Sequence, residues 1–167
     1  SNTLQILVIN IDAFRKNFTG TEEEKKSNVI YKESDKLSGR QPIEFVQADV
    51  TDLSVLVDAS FDVVYTGGHV AVWVADLSRF YAEAARISKP ACLLMVCEYH
   101  PFRRIWMESK TALVVGKRYL DRGPYEYDYT DDVLSRTTGP LKSYEHHWTT
   151  ADYVNAVVSA GCRVAFV

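Results

Sequence analysis

The sequence predicts an α/β domain with a mostly parallel sheet and helices on both faces. Two runs are almost wholly apolar and rich in strand-forming residues, at 4–11 (LQILVINI) and 91–97 (ACLLMVC). Runs of this composition are typical of parallel strands, which are buried on both faces. The segment 77–88 instead repeats its apolar residues with helical spacing. Because strand and helix patterns alternate along the chain, we expect crossover connections and parallel pairing.

In the N-terminal half, the first strand covers 4–11. A helix is predicted over 21–37, because acidic residues follow Thr21 at its positive end and Gly39 can end it. A second strand is expected at 43–46, where apolar and polar residues alternate, and a short helix at 53–57.

The middle of the chain has the clearest pattern. A strand at 61–65 ends in two glycines, and Asp76 is a good N-cap for a helix over 77–88. The apolar residues of this helix form one stripe: Leu77, Phe80, Tyr81, Ala84 and Ile87. Lys89 and Pro90 then separate the helix from the strand at 91–97.

The C-terminal third contains an aromatic-rich insertion at about 101–148, with one predicted helix near 102–114. Thr149 or Thr150 can cap a last helix that ends at Ala160, with Gly161 as a C-cap and four inward-facing residues: Tyr153, Val154, Val157 and Val158. One more strand is predicted at 163–167. We expect residues 1–167 to form a single domain.

Composition excludes several classes of protein. The chain has 167 residues, of which 47% are hydrophobic and 25% charged, as is usual for a globular domain. A net charge of −3 gives no general attraction to nucleic acid. We identify no apolar run of the ~18 residues that cross a membrane and no secretory signal. The three cysteines (Cys92, Cys97 and Cys162) have neither disulfide-framework nor zinc-site spacing, so a reducing cytoplasm is expected.

Ligands of such sheets bind beyond the carboxyl ends of the strands. The residues at these ends are therefore the first candidates for a site: Asp12, Asp49, the run Tyr65 to Gly68, and the run Glu98 to His100. Gly67 and Gly68 have no side chains to block a ligand that approaches the backbone.

Three segments together resemble class I S-adenosylmethionine-dependent methyltransferases of the small-molecule type. They are 43–53 (IEFVQADVTDL), 61–90 (FDVVYTGGHVAVWVADLSRFYAEAARISKP) and 92–102 (CLLMVCEYHPF). They correspond to the family's third strand, to its fourth strand with the following helix, and to its fifth strand with the following loop. The resemblance implies a Rossmann-like fold, S-adenosylmethionine as cofactor and a small organic methyl acceptor.

The resemblance also implies roles for individual residues. Cofactor-binding candidates are Asp12 for the ribose, Asp49 and Val50 for the adenine, and the turn of Thr66, Gly67 and Gly68. Substrate-binding candidates are Trp73, Tyr99 and Trp106. His100 directly follows the fifth strand and is the candidate general base, if the acceptor must lose a proton.

The sequence departs from the family pattern at its N-terminal end. No Gly-x-Gly occurs in the chain, although the family's first strand normally runs into a glycine-rich turn. Only about 30 residues separate Ile11 from Ile43, which leaves room for one helix and its loops. We therefore expect fewer strands than in the full family fold. Ala91 and Cys92 also replace the usual glycine pair before the fifth strand.

These departures leave alternatives open. Asp49 can cap the next helix as well as contact adenine, Asp12 can be a turn residue, and the glycine pair can serve only a tight turn. His69 reads as a helix-start residue. A metal site at His146 and His147 is not expected, because adjacent residues of an extended segment point in opposite directions.

Two functions follow from these alternatives. The first is a methyltransferase. The second is a degenerate, non-catalytic domain that serves as a binding or assembly module. Missing strands would leave exposed sheet edges, and these favour a homodimer.

Overall fold

A computed structural model describes residues 46, 48–107, 109, 111–128 and 142–167. The chain divides into two compact units, residues 1–55 and residues 56–167. Neither α-helix in the described ranges has the length and apolar character of a membrane span. The predicted strand over 4–11 and helix over 21–37 lie outside these ranges.

In the first unit, the described residues form a turn. Asp52 N donates to Asp49 O at 2.9 Å, and Val50 and Leu53 are buried. The predicted helix at 53–57 is wrong, because this stretch consists of turns and bends. The side chains of Asp49 and Asp52 accept hydrogen bonds from the backbone N–H groups of Thr51 and Ser54. Such local bonds compete with helix formation.

In the second unit, two parallel strands form a sheet. They are β1 (Phe61–Gly67) and β2 (Ser88–Cys97), with Val63 paired to Leu93 and Gly67 to Cys97. Both predicted strands are confirmed, and β2 begins earlier than expected. The register shifts after Phe61, which pairs with Ser88. The irregular part of β2 lies between Ser88 and Leu93. It includes Ala91, whose φ of 63° is a left-handed conformation that favours glycine.

The helix α1 (Leu77–Ile87) connects the two strands, as predicted. The side chain of Asp76 accepts from Arg79 N at 2.9 Å and caps the helix. All five residues of the predicted apolar stripe are buried, and Tyr81 is fully buried. The spacing of the apolar residues in the sequence was therefore enough to identify the buried face of this helix.

The segment 101–128 is built differently from the prediction. A 3-10 helix covers Pro101–Ile105, and short strands β3 (Trp106–Met107) and β4 (Val114–Val115) pair as an antiparallel hairpin. The predicted helix near 102–114 is therefore wrong. Ile105 O accepts from both Gly116 N and Lys117 N, at 2.8 Å and 3.2 Å, so the chain turns back here instead of continuing as a helix.

Strands β5 (Tyr125–Asp128) and β6 (Lys142–Glu145) form a second antiparallel pair. A further 3-10 helix, Ala71–Trp73, follows β1. Trp148 connects the segment after β6 to this helix, since its indole N–H donates to Ala71 O at 3.0 Å and to Val74 O at 3.2 Å.

The last helix, α2 (Thr150–Ser159), confirms the prediction, including Thr149 as N-cap and a Gly161 with φ of 86°. Ala156 is its buried residue, whereas Val158 is 52% exposed and does not face inward as predicted. The predicted strand at 163–167 is wrong, because these residues have no strand partner in the described part of the chain.

Candidate active site

A turn at the end of β1 positions one imidazole beside the sheet. Gly68 and His69 both have positive φ values, 69° and 73°. A positive φ is uncommon for a residue with a side chain and often marks a functional site. His69 thereby lies next to the end of β2, where its Nδ1 is 4.0 Å from Glu98 Oε2.

Glu98, directly after β2, has a side chain that is only 6% exposed. Its Oε1 accepts from Ala71 N at 3.2 Å, while its Oε2 is buried with no hydrogen-bond partner in the described structure. Burial raises the pKa of Glu98 above its usual value, although the N–H groups of Ala71 and Val70 oppose this shift. Glu98 is therefore a carboxylate of increased basicity.

An arginine from the 3-10 helix after β2 connects His69 to the segment of β6. Arg104 Nη2 contacts His69 Nε2, and Arg104 Nη1 donates to Glu145 Oε2 at 2.5 Å. Burial lowers the pKa of His69, and the charge of Arg104 lowers it further. The imidazole is thus neutral near pH 7.

His147 extends this arrangement on the other side of Glu145, with its Nε2 3.6 Å from Glu145 Oε2. Burial is the main cause that lowers the pKa of His147 to about 4. We call the five side chains the polar cluster: His69, Glu98, Arg104, Glu145 and His147. It contains two neutral imidazoles, one arginine and two glutamates.

Hydroxyl groups complete the surroundings of Glu98. Thr66 Oγ1 at the end of β1 and Tyr81 Oη on α1 are both buried, and the Thr66 hydroxyl acts on Tyr81 by a hydrogen bond that lowers its pKa against the effect of burial. Burial raises the pKa values of Tyr81 and Tyr153, and the charge of Glu98 adds to both shifts.

The comparisons with known proteins give the family. A family model described as "Methyltransferase domain" matches residues 7–96, which is more than half of the chain. The chain belongs to this methyltransferase family. No match was found among curated proteins.

Solved structures resemble the methyltransferase domain over nearly its whole length. An S-adenosylmethionine-dependent methyltransferase from Mesorhizobium loti has a TM-score of 0.59 at 18% identity, covering 94% of this chain and 62% of its own. One from Clostridium acetobutylicum has a TM-score of 0.52 at 8% identity, covering 93% and 63%. The α/β, Rossmann-like fold predicted from the sequence is confirmed. The domain spans less than two thirds of the length of these structures.

The three residues that the sequence predicted to bind substrate do not lie together in the methyltransferase domain. Tyr99 is 60% exposed, and its ring centroid lies 4.7 Å from that of His69, so it borders the polar cluster. Trp106 stacks edge-on against Phe102 at 5.6 Å. Trp73 lies in the first 3-10 helix, half-buried. Their role in acceptor binding stays a prediction.

His100 is exposed, and its Nδ1 accepts from Phe102 N at 3.2 Å as the N-cap of the 3-10 helix. The capping bond occupies one of its two ring nitrogens. His100 therefore has a structural role in the methyltransferase domain, and its role as general base stays a prediction.

The glycines of the turn have distinct reasons to be glycine. A Cβ on Gly67 would lie 2.5 Å from Tyr65 Oη and 2.8 Å from Cys97 O, so packing within the chain requires glycine there. A Cβ on Gly68 would meet nothing within 4 Å. Gly68 thus combines a left-handed conformation with open space beside the backbone.

In the first unit, Asp49 is exposed and its Oδ1 accepts from both Thr51 N and Thr51 Oγ1 at 2.8 Å. The sequence predicted that Asp49 could cap the next helix, but its bonds to Thr51 stabilise a turn instead. The other carboxylate oxygen of Asp49, Oδ2, accepts no hydrogen bond from a described residue. Val50 is buried. Asp12 lies outside the described residues.

Sequence reasoning named Glu98 only as a strand-end residue and missed Arg104 and Glu145. It considered His147 only for a metal site, and it interpreted His69 as a helix-start residue, whereas His69 lies in a turn with a φ of 73°. Every second residue from 143 to 149 is buried: Ser143, Glu145, His147 and Thr149. Polar residues with the period of a strand were the available signal. Among the described residues, no group of three histidine, cysteine or acidic side chains could hold a metal ion.

Proposed function

We propose that the protein is an S-adenosylmethionine-dependent methyltransferase that acts on a small organic molecule. The observation that carries this proposal is the family match over residues 7–96, which ends within β2, two residues before Glu98. In a doubly wound fold the ends of the strands are where ligands bind, and in this domain the polar cluster lies there.

The described residues fit the proposed cofactor at two places. Asp49 has a carboxylate oxygen left to accept from an amino group such as that of adenine. Gly68 leaves open space beside a backbone turn, where a ligand can approach closely. Each unit is taken by itself: in the first unit we propose cofactor contacts at Asp49 and Val50, and in the second unit at the turn of Thr66, Gly67 and Gly68.

S-adenosylmethionine supplies an electrophilic methyl group on a positively charged sulfur. The protein must then position the acceptor and exclude water, which together can provide much of the rate enhancement. Glu98 and His69 can orient a polar group of the acceptor and hold its proton.

Calorimetric titration of the 167-residue chain with S-adenosylmethionine and S-adenosylhomocysteine tests this proposal. We expect micromolar binding that Asp49→Ala weakens at least about ten-fold, since a charge-assisted hydrogen bond contributes roughly 1.5–3 kcal/mol. The control is Asp62→Ala, which removes an exposed carboxylate paired with Lys89 and should leave the affinity unchanged. Absence of binding at millimolar ligand would leave the non-catalytic binding or assembly module as the better account.

Two further features of the sequence prediction are proposals of the same kind. None of the three cysteines is in a disulfide, which supports a reducing, cytoplasmic setting. A homodimer through exposed sheet edges is consistent with β2, which pairs with β1 alone among the described strands. Light scattering on the purified chain measures this assembly state directly.

A further inference from the structure

Arg103 is an exposed cation that follows the carboxyl end of β2. It lies in the 3-10 helix Pro101–Ile105 and forms no ion pair with any residue that the structure describes. Pairing is otherwise common in the second unit, where five cations each bind a carboxylate: Arg86, Lys89, Arg104, Arg122 and Lys142. Arg103 is therefore a cation that an anion from solvent can reach and neutralise.

The ring of Tyr99 places Arg103 at the candidate active site. The Cζ atom of Arg103 is 5.6 Å from the centroid of this ring, and the imidazole of His69 is 4.7 Å from it, centroid to centroid. His69 directly follows Gly68, beside which the backbone has open space. The charge of Arg103 also acts on His69, where it adds to the larger effects of burial and Arg104 in lowering the pKa. Arg103 thus lies at the end of the sheet where ligands of this fold bind.

The negative charges of this region lie inside the domain. The side chains of Glu98 and Glu145 are only 6% and 9% exposed, and Glu145 is paired with Arg104. Among the charged residues from 98 to 104, Arg103 is therefore the one whose side chain lies at the surface. A ligand that approaches from solvent meets this positive charge first, so anions are attracted and cations are repelled.

Exposed aromatic rings lie beside this cation in the chain. Tyr99 is 60% exposed and Phe102 is 49% exposed. Phe102 is held by its contacts with the rings of Trp106 and Tyr119, whose centroids lie 5.6 Å and 6.3 Å away. Rings that stay partly exposed can contact the apolar part of a ligand. Together with Arg103, they form a surface that suits a molecule with an anionic head group and an apolar body.

The chemistry of arginine favours a carboxylate as this head group. A guanidinium is planar and donates two parallel N–H bonds, which match the two oxygens of a carboxylate. One arginine also balances the single negative charge of a carboxylate. A phosphate monoester carries about −1.5 to −2 at pH 7, and its additional charge would face the buried carboxylate of Glu98. An amide has no charge, and an ammonium group would be repelled by Arg103.

We propose that Arg103 binds a carboxylate of the methyl acceptor, and that the rings of Tyr99 and Phe102 contact the apolar part of the same molecule. This inference rests on the proposed methyltransferase function and names its substrate class, a small organic acid. The carboxylate serves to position the acceptor. Arg103 is then a residue that determines specificity and takes no part in breaking or forming bonds.

Nuclear magnetic resonance titration of the ¹⁵N-labelled full chain tests the site without turnover. The probes share one ring and differ in their head groups: benzoate, benzamide, benzylamine and phenyl phosphate. Binding is measured from the backbone amide signals of residues 99 to 104. We expect these signals to shift saturably with benzoate. Its affinity should exceed that of benzamide and benzylamine at least about ten-fold, because a hydrogen bond between two charged groups is stronger than one between neutral groups.

Three variants locate the bound carboxylate. Arg103→Gln should lower the affinity for benzoate at least about ten-fold, and Arg103→Lys should lower it less, because lysine keeps the charge but loses the parallel N–H groups. Arg118→Gln is the matched control. Arg118 is also exposed and forms no ion pair with a described residue, so this variant has the same net charge as Arg103→Gln and should bind benzoate like the unsubstituted chain. All three variants should keep the Tm, since both arginines are exposed.

A second titration distinguishes the acceptor from the cofactor, because S-adenosylmethionine has a carboxylate of its own. Benzoate binding is measured again in the presence of saturating S-adenosylhomocysteine, which has the same carboxylate. If Arg103 holds the acceptor, both molecules bind together and the affinity for benzoate is kept. If S-adenosylhomocysteine displaces benzoate, Arg103 holds the carboxylate of the cofactor, and the assignment to the acceptor is wrong.

The outcomes separate this inference from the proposed function. Equal affinity for benzamide, or higher affinity for phenyl phosphate, would overturn the carboxylate assignment, and so would the absence of any shift with millimolar benzoate. Unchanged benzoate affinity in Arg103→Gln would exclude Arg103 as the binding residue. If S-adenosylhomocysteine does not bind, the proposed function fails, and the titrations with benzoate alone still decide whether Arg103 holds a carboxylate.

Discussion

The guanidinium of Arg104 and the carboxylate of Glu145 form an ion pair of 2.5 Å, with side chains only 19% and 9% exposed. The two residues are 41 positions apart in the sequence, so the pair joins the 3-10 helix after β2 to strand β6. Both charges also act on imidazoles, His69 on one side and His147 on the other.

Removing one partner of this pair should destabilise the domain strongly. Arg104→Met leaves the Glu145 carboxylate buried without its arginine, and the cost of an uncompensated buried charge is about 3–5 kcal/mol. We expect a loss of this size in the free energy of unfolding, measured by urea denaturation. Lys142→Met is the control, because it disrupts an exposed ion pair with Glu126 and should change stability much less. Equal losses in both variants would contradict a special role for the buried pair.

Glu98→Gln should make the protein more stable at pH 7. The folded-state pKa of Glu98 is raised, so the folded state binds the proton more tightly than the unfolded state. Stability due to this group therefore falls as the pH rises from the unfolded pKa through the folded one. At pH 7 the buried, ionised carboxylate lowers the free energy of unfolding, and glutamine has no such effect. Well below pH ~4 the glutamate is protonated, so the side chains of both proteins are neutral.

The measurement is the difference in Tm between Glu98→Gln and the unsubstituted chain at about pH 7 and pH 4. We expect a gain at the higher pH that shrinks at the lower one. Glu126→Gln should behave oppositely, because hydrogen bonds from Lys142 and Tyr144 lower the pKa of Glu126. A neutral or lower Tm for Glu98→Gln at pH 7 would mean that the carboxylate is satisfied in the folded state.

Asp152 should contribute stability that is lost in acid. Burial raises the pKa of this carboxyl, but hydrogen bonds from Arg122 and Thr149 outweigh burial and hold the pKa below its usual value. For a depressed carboxyl pKa, the stabilisation is present above the unfolded pKa and falls as the pH drops through the folded one. Between about pH 6 and pH 3, the Tm of the unsubstituted chain should therefore fall more than that of Asp152→Asn. Asp128→Asn, at an exposed position of β5, should follow the unsubstituted chain.

The two glycines after β1 should respond differently to substitution. Gly67→Ala places a Cβ 2.8 Å from the carbonyl oxygen of Cys97, and backbone cannot move away cheaply, so we expect loss of stability by several kcal/mol. Gly68→Asn should cost at most about 1 kcal/mol, since asparagine tolerates a positive φ. If the cofactor approaches this turn, Gly68→Asn should nevertheless weaken S-adenosylhomocysteine binding in calorimetry. Unchanged affinity in that variant would argue against Gly68 as a cofactor contact.

Ala91→Gly should stabilise the domain. At a φ of 63°, alanine has a backbone strain of about 1–2 kcal/mol. Glycine avoids this strain, but its more flexible unfolded chain makes folding less favourable by a smaller amount, roughly 0.5–1 kcal/mol. The net expected gain is about 0.5–1 kcal/mol in thermal or urea unfolding. Ala82→Gly on the exposed side of α1 should have the opposite effect, a loss of about 1 kcal/mol. If both substitutions destabilise equally, the left-handed conformation of Ala91 is not strained.

Elements that depend on local patterns could be predicted from the sequence. The stripe of α1, its Asp76 cap, the capping residue Thr149 and the strand runs at 61–65 and 91–97 are all determined by neighbours within a few positions. Their positions in the structure agree with the prediction. The Asx turns at Asp49 and Asp52 were missed, because such side chains stabilise caps and turns equally well.

The polar cluster could not be predicted in the same way. Its members come from the turn after β1, the end of β2, the following 3-10 helix and β6, so contacts over long sequence separations bring them together. The hairpin at 106–115 likewise depends on a distant pairing, the bonds to Ile105 O. Arginines after Pro101 and the glutamate in β6 look like surface residues until their partners are known.

Four residues of the stretch from Ser143 to Thr149 each have a separate structural role. Glu145 holds Arg104, His147 faces Glu145, Trp148 bonds to the first 3-10 helix, and Thr149 caps α2. An extended chain repeats every two residues, so one inserted or deleted residue here would exchange inside for outside at every later position of this stretch. Its length is therefore as constrained as its composition. Related chains that keep the ion pair should vary in the residues of this stretch before they vary in their number.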